Sequence, residues 1–194
     1  HNDSGQIYER TGDEICAENS KNIDLLCYKD QLRGMLRILE EEGVPVRMQT
    51  RALGELFDKI RDRKKKALLF DQCVNIFAEN LLKRQAVENI QEYQDGTQSK
   101  TDMEEAVAKG NTAARVFCFM VFKKLGEEKY RDIYLSCAED SAKPVRKLLL
   151  DICKEHREWE KEILALLSSK KLKAREFAVL VLEEWGDAIC LEKV

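Results

Sequence analysis

An apolar pattern recurs three times in the C-terminal half of the chain, and it is the feature that most limits the fold. Counting from Ala114, Val145 and Ala174, positions 0, +3, +4, +7, +8 and +11 are almost all apolar. This spacing puts them on one face of an α-helix. The copies lie about 30 residues apart, and in each an arginine follows the first position: Arg115, Arg146 and Arg175. The sequence therefore predicts three equivalent helices.

Shorter amphipathic segments separate these helices. Residues 129–139 and 159–167 each place aromatic or aliphatic side chains on one face, and the polar stretches 140–143 and 168–173 follow them. Connections this short are typical of antiparallel neighbours. The repeating unit is therefore predicted to be a helix pair.

The N-terminal half contains a related signal. Both prolines of the chain precede the same dipeptide, in Pro45-Val46-Arg47 and Pro144-Val145-Arg146. Proline at the first helical position loses no hydrogen bond, so both predict helix starts. After Pro45 the apolar pattern fits only from Gln49, three residues later than in the other copies, which predicts a degenerate repeat. Further helices are expected over about residues 23–42 and 65–86.

Composition agrees with an all-helical chain. Only 9 Gly and 2 Pro occur in 194 residues, so tight turns between strands are disfavoured. We expect a polar N-terminal arm over residues 1–20 and a single helical repeat domain over 21–194, with a possible loop near 92–99. The chain begins with His1, not Met, which is compatible with a segment of a larger protein.

The helix pair with Pro-Val-Arg or Ala-Arg at the start of its second helix resembles the HEAT-repeat family, best over residues 111–187 and also over 24–86. The chain is similar, too, to repeat segments of large bacterial proteins with a molybdate-regulator-type region. The HEAT resemblance implies an α-α superhelix whose second helices line the concave side, in a family of scaffolds and adaptors. It also implies an aspartate in the inter-helix turn. Asp140 fits, whereas Ser169 and Lys109 replace it in the other two turns.

The repeat arginines have two interpretations. Arg47, Arg115, Arg146 and Arg175 either bond the preceding turn and stabilise the stack, which we favour, or line a groove for an acidic ligand. In the last helix, Val179 and Leu180 add apolar surface beside the main stripe. A terminal repeat needs a polar outer face, so we expect more protein to cover this one.

Two basic runs are candidate phosphate-contacting patches. The first is Arg61, Arg63, Lys64, Lys65 and Lys66, and the second is Lys170, Lys171 and Lys173. Both fall at junctions between helices, where phosphates could be bound. The favoured interpretation is a solvated connection whose cations complement the C-terminus of a helix. A formal net charge of -3 does not favour nucleic acid as a partner.

Catalytic and metal-binding motifs are not apparent. The seven cysteines are scattered without a C-x-x-C pair and only two histidines occur, so neither a cofactor nor a metal site is expected. The cysteines are expected to be buried and reduced, as in the cytoplasm. No apolar run is long enough for a membrane span, and the N-terminus does not resemble a signal peptide.

Two enzyme families with HEAT-like folds offer catalytic alternatives. In the DNA glycosylases for alkylated bases, Trp and Asp contact the lesion, and Trp185 with Asp187 or Trp159 with Asp151 would be the counterparts. A bilin-lyase-like activity would use Cys137 or Cys153. Trp185 and both cysteines lie on apolar stripes, which favours core positions. The sequence therefore predicts a non-catalytic scaffold that binds a protein, with a nucleic-acid-binding or glycosylase-type protein as the alternative.

Overall fold

The chain folds into α-helices joined by short turns. The computed structural model describes residues 30–90 and 97–186, and no β-strand occurs within those ranges. The helices are α1 (30–41), α2 (Val46–Lys59), α3 (Arg63–Ile90), α4 (Thr97–Lys109), α5 (Thr112–Leu125), α6 (Arg131–Ser136), α7 (Lys143–Glu155), α8 (Glu160–Leu166) and α9 (Leu172–Glu184), with 3-10 turns at Glu127–Tyr130 and Arg157–Trp159. The all-α class is confirmed.

Helices α5, α7 and α9 carry the recurring pattern as predicted. All of their pattern positions are buried or pack against the core except His156, which lies at the C-cap of α7. α5 ends at Gly126 and α9 is followed by Gly186, and both glycines adopt positive φ, 101° and 73°. That left-handed conformation ends a helix at little cost only at glycine.

The helices that carry the pattern pack in series. α2 contacts α5, α5 contacts α7, and α7 contacts α9, while α8 packs on α9 and α4 lies against both α2 and α5. One hydrophobic cluster runs from Leu36 in α1 to Leu182 in α9. Aromatic contacts connect successive elements within it, such as the 5.9 Å centroid separation between Tyr134 and Trp159.

The register predicted for α2 is wrong. Leu56, assigned to the buried face, is 42% exposed. The buried residues of the helix are Val46, Gln49, Thr50, Leu53, Gly54 and Phe57. Their spacing is the same pattern counted from Val46, so α2 is in register with α7, which starts its pattern at Val145.

The register of α2 was mispredicted because three of its buried positions carry residues that are not apolar, namely Gln49, Thr50 and Gly54. Gln49 Nε2 donates to the Val44 carbonyl at 2.8 Å, and Thr50 Oγ1 donates to the Arg47 carbonyl at 3.2 Å. Both buried polar groups are therefore satisfied. Gly54 gives α5 room to approach, because a Cβ there would lie 2.8 Å from the Ala114 nitrogen.

Other boundaries differ from expectation in smaller ways. Pro45 is the N-cap of α2 and Pro144 the second residue of α7, so both helix starts are confirmed to within a residue. α3 continues to Ile90, beyond the predicted end at 86. The loop expected near 92–99 is wrong at its end, since α4 begins at Thr97, and residues 91–96 lie outside the described ranges. So does the predicted arm over 1–20.

Candidate functional site

Three of the four repeat arginines bond the backbone of the turn before their own helix. Each donates a hydrogen bond from Nη1 to a turn carbonyl: Arg115 to Gly110 at 2.6 Å, Arg146 to Asp140, and Arg175 to Ser169 at 2.6 Å. Carbonyls in such turns lack intrahelical partners, and a charged donor satisfies them well. Each of these three arginines therefore links the start of its helix to the preceding turn.

Asp140 additionally joins two successive helix pairs. Its Oδ1 accepts a hydrogen bond from Nη2 of Arg115 in α5 at 3.2 Å, and its Oδ2 lies 2.7 Å from Arg115 Nε in an ion pair. Oδ1 also accepts from the Ala142 backbone nitrogen at 2.8 Å. The two side chains are only 18% and 8% exposed. Because this ion pair is largely removed from water, loss of either partner leaves the other costly to bury.

The other two turns supply no aspartate at the equivalent position. Ser169 Oγ accepts from the Lys171 backbone nitrogen at 3.2 Å, and the Lys109 ammonium lies 2.6 Å from Glu105. Neither contact reaches the neighbouring pair's arginine. The turn aspartate implied by the HEAT resemblance therefore has a structural counterpart at Asp140, the turn where the sequence matches.

Arg47 departs from the other three arginines. It follows the first pattern position of α2, yet its Nε lies 3.6 Å from Glu105 Oε1, and both side chains are about 40% exposed. Hydrogen bonding to Lys109, together with the charge of Arg47, lowers the pKa of Glu105 below its usual value. The four arginines thus do not form one continuous row.

The first basic run lies at the wrong end of a helix for charge complementation. Arg63 to Lys66 form the first turn of α3, where the helix dipole disfavours cations. Asp62 offsets this, because its Oδ1 accepts from the backbone nitrogens of Lys64 and Lys65. Arg63 to Lys66 therefore begin a helix, whereas Arg61 lies just beyond the C-cap of α2, at a helix C-terminus as the prediction has it.

The second basic run borders a cleft along the turns. Lys171 pairs with Glu139 of the preceding turn, and Lys170 is exposed. The cleft is about 780 Å³, and Arg115, Asp140, Lys171 and Lys173 are among the residues that line it. Within the cleft Arg115 pairs with Asp140, and Lys171 pairs with Glu139. Much of the charge of the cleft is therefore already neutralised, and Lys173 is the exception among these four.

A second, smaller groove lies between α7 and α9. Its volume is about 320 Å³, and its lining residues are Lys143, Arg146, Lys147, Leu150, Lys173, Glu176, Phe177 and Leu180. Three cations on α7, together with one cation and one carboxylate on α9, thus surround an apolar floor. The structure brings together one repeat arginine, Arg146, and one residue of the second basic run, Lys173, which the sequence analysis treated separately.

Lys143 and Lys147 were missed by the sequence analysis. The run from Lys143 to Lys147 has three cations in five residues, and on a helix residues 143, 146 and 147 share one side. That spacing was the available signal. The contribution of Lys173 depends on the packing of α9 beside α7, which no local pattern specifies.

At the other end of α7, His156 links two successive pairs. Its Nε2 lies 2.5 Å from Glu127 Oε2 and its Nδ1 2.6 Å from Glu158 Oε1, while its ring stacks on Trp159 at 4.2 Å. Burial alone would lower the pKa of His156, but the hydrogen bonds that its ring makes to the carboxylates of Glu158 and Glu127 raise it above its usual value. Trp159 Nε1 donates to Glu128 at 2.5 Å, which strengthens this junction.

The residues considered for base recognition are not arranged for it. Trp159 is completely buried, whereas Asp151 is exposed and pairs with Lys154. Trp185 is partly buried against the core, and its Nε1 donates to the Lys154 carbonyl at 3.3 Å. Asp187 lies outside the described residues. The Trp159 indole is therefore closed to a flipped base, and the Trp185 indole is partly covered by the core.

The described cysteines are core residues. Cys73, Cys118, Cys137 and Cys153 are buried and free. Burial raises the pKa of the Cys137 thiol to about 11 and that of Cys153 to about 12. Because the thiolate is the nucleophile, such thiols are poorly suited to covalent chemistry. Cys16, Cys27 and Cys190 fall outside the described residues.

Within residues 30–90 and 97–186, no group of His, Cys, Asp or Glu is arranged to hold a metal ion. None of the helices in these two ranges combines the length and apolarity that a transmembrane span requires.

Comparisons of the chain with family models, with curated proteins and with solved structures find no match.

Proposed function

We propose that the chain is a HEAT-like helical-repeat domain that binds a protein partner and does not itself catalyse a reaction. The serial packing of α2, α5, α7 and α9 supports this architecture, as do the arginine contacts to successive turns. In a HEAT-like superhelix these second helices would line the concave side. A repeat buries its apolar face only on its neighbours, so the ends and the concave side provide extended binding surfaces.

The observation that carries the proposal is the exposed apolar face of α9. Leu172 is 60% exposed and Leu180 47% exposed. Together with Leu167 and Val179 they border a cleft of about 550 Å³, which we call the terminal face. Contiguous apolar surface on a soluble domain marks an interaction site more often than isolated exposed leucines do.

The proposed location is the cytoplasm. The buried free cysteines support it, because thiols remain reduced there without pairing into disulfides. No cofactor is proposed.

Nucleic acid is the second candidate, because four cations line the α7–α9 groove. The charge does not continue along the helices, however. Lys154, farther along α7, is paired with Asp151 and with Glu184 of α9. A phosphate backbone needs an extended positive track, and this surface is positive only at one end. Protein is therefore the favoured partner.

The proposal is tested by capture from native lysate at about 50 and about 200 mM salt, over which phosphate-driven binding collapses. We expect the wild-type chain to retain defined proteins at both salt concentrations, and Leu172→Gln to lose them. Leu68→Gln is the matched control, since Leu68 is a 41%-exposed leucine near the start of α3. Retention of nucleic acid alone, at low salt only, would contradict the proposal.

A further inference from the structure

The cations of the α7–α9 groove are free to bind a ligand. Lys143, Lys147 and Lys173 are exposed and make no ion pair with any described residue. Among the described residues the guanidinium of Arg146 makes one hydrogen bond, to the Asp140 carbonyl, which holds the side chain in place while its other N–H groups have no partner there. In the turn cleft, by contrast, Lys171 is already neutralised by Glu139.

The floor of the groove selects for an apolar side chain. Leu150 is half-buried and Leu180 is 47% exposed, so both offer surface to a ligand. Phe177 is 2% exposed, and its ring is therefore not available for stacking on a nucleotide base. A ligand that fits must combine negative charge with an aliphatic or aromatic group.

We infer that the α7–α9 groove binds an acidic peptide segment of a partner protein. Its carboxylates pair with the lysines and arginine of the rim, and one large apolar side chain packs between Leu150 and Leu180. This inference rests on the proposed function and names the partner chemistry for one surface of the domain.

The size of the groove agrees with a peptide side chain as occupant. At about 320 Å³ it is at the small end of sites for small molecules. Peptides docking along helices typically anchor a few side chains in such grooves and gain specificity from flanking charges. Cations on both helices, Lys143 and Lys147 on α7 and Lys173 on α9, allow carboxylates on either side of the anchor to be paired.

The probe is a displayed library of random peptides of about twelve residues, selected on the full chain. We expect the selected peptides to carry Asp and Glu around at least one large apolar residue. A selected peptide, made with a fluorescent label, is then measured by anisotropy. Lys147→Glu is expected to weaken its binding at least tenfold, or about 1.4 kcal/mol.

Matched variants separate groove binding from general electrostatics. Lys161→Glu changes the net charge equally at an exposed residue of α8 that does not line the groove, and it should leave affinity within about twofold. Leu180→Ser should weaken binding of the peptide, whereas Leu172→Gln should not, because Leu172 does not line the groove. Circular dichroism melts confirm that each variant is folded.

Several outcomes would overturn the inference. Selected peptides without acidic enrichment, or equal sensitivity to Lys147→Glu and Lys161→Glu, would remove the groove as the site. Tighter binding of a single-stranded oligonucleotide of about twenty nucleotides, lost in Lys147→Glu, would assign the groove to nucleic acid. Self-association of the chain that Lys147→Glu reverses would assign it to a second copy. If the library fails while Leu172-dependent capture from lysate persists, the proposed function stands and the peptide inference fails.

Discussion

The same tripeptide, Pro-Val-Arg, opens α2 and α7, and the two copies behave differently. In α7, Arg146 is half-buried and holds the Asp140 carbonyl of the preceding turn. In α2, Arg47 is 43% exposed and faces Glu105 instead. In α2 the preceding turn is bonded by Gln49 instead, whose side chain donates to the Val44 carbonyl.

The difference teaches that the position in the helix, not the residue type, determines the contact. Arg115, Arg146 and Arg175 are each the fourth residue of their helix, whereas Arg47 is the second residue of α2. The fourth residue of α2 is Gln49, on the buried face. A neutral amide suits that buried position better than a guanidinium, since burying an unpaired charge costs more than burying a satisfied amide.

The largest expected effect is on the buried ion pair of the C-terminal half. Asp140→Ala leaves Arg115 without its carboxylate and should lower the free energy of unfolding by about 3 kcal/mol. Glu105→Ala, which removes the exposed partner of Arg47, should lower it far less, because exposed ion pairs contribute little. Urea unfolding of both variants measures the difference. Equal losses would show that the two halves do not differ in this way.

The seam between α2 and α5 comes next. Gly54→Ala puts a methyl group 2.8 Å from the Ala114 nitrogen and should cost about 2 kcal/mol through overpacking. Gly34→Ala in α1 is the control, because a Cβ there meets nothing within 4 Å and should stabilise the helix by about 0.5–1 kcal/mol. Thermal melts of the two variants measure both changes in stability. If Gly54→Ala left the melting temperature unchanged, α2 and α5 could move apart without loss of stability.

Charge reversal at the two equivalent arginines tests the comparison directly. Arg146→Glu should lower the free energy of unfolding by about 1.5 kcal/mol, because a charge-assisted hydrogen bond to the turn is lost. Arg47→Glu should change it by less than about 0.5 kcal/mol. If Arg146→Glu were as stable as the wild-type chain and lost only peptide binding, Arg146 would bind the ligand without stabilising the fold.

The smallest expected effect depends on pH. Because the folded pKa of His156 is raised, its stabilising contribution is complete below the unfolded value of about 6.5 and is lost as pH rises through the folded pKa. The lowered pKa of Glu158 adds a separate contribution, which is present above the usual pKa of a glutamate and is lost as pH falls through the folded pKa. We expect His156→Gln to flatten the decrease in melting temperature between about pH 6 and about pH 8.5. An unchanged slope would contradict the assignment to His156.

The sequence specified the fold class and the buried faces of α5, α7 and α9, because their apolar residues keep strict helical spacing. It could not specify α2, where Gln49, Thr50 and Gly54 occupy buried positions for reasons that depend on neighbouring elements. The basic residues were predicted as separate runs along the chain. Their assembly with Lys143 and Lys147 into one groove required the packing of α7 against α9. The HEAT-like superhelix itself stays a prediction.

Two residues, Glu176 and Leu180, line both the α7–α9 groove and the terminal face. A molecule that covers Leu180 at the terminal face alters the wall of the groove against which a peptide would rest. Occupancy of the two surfaces is then thermodynamically linked, and by reciprocity each occupant changes the affinity of the other by the same factor. Through one helix, α9, the molecule bound at one surface would therefore respond to the presence or absence of a molecule at the other.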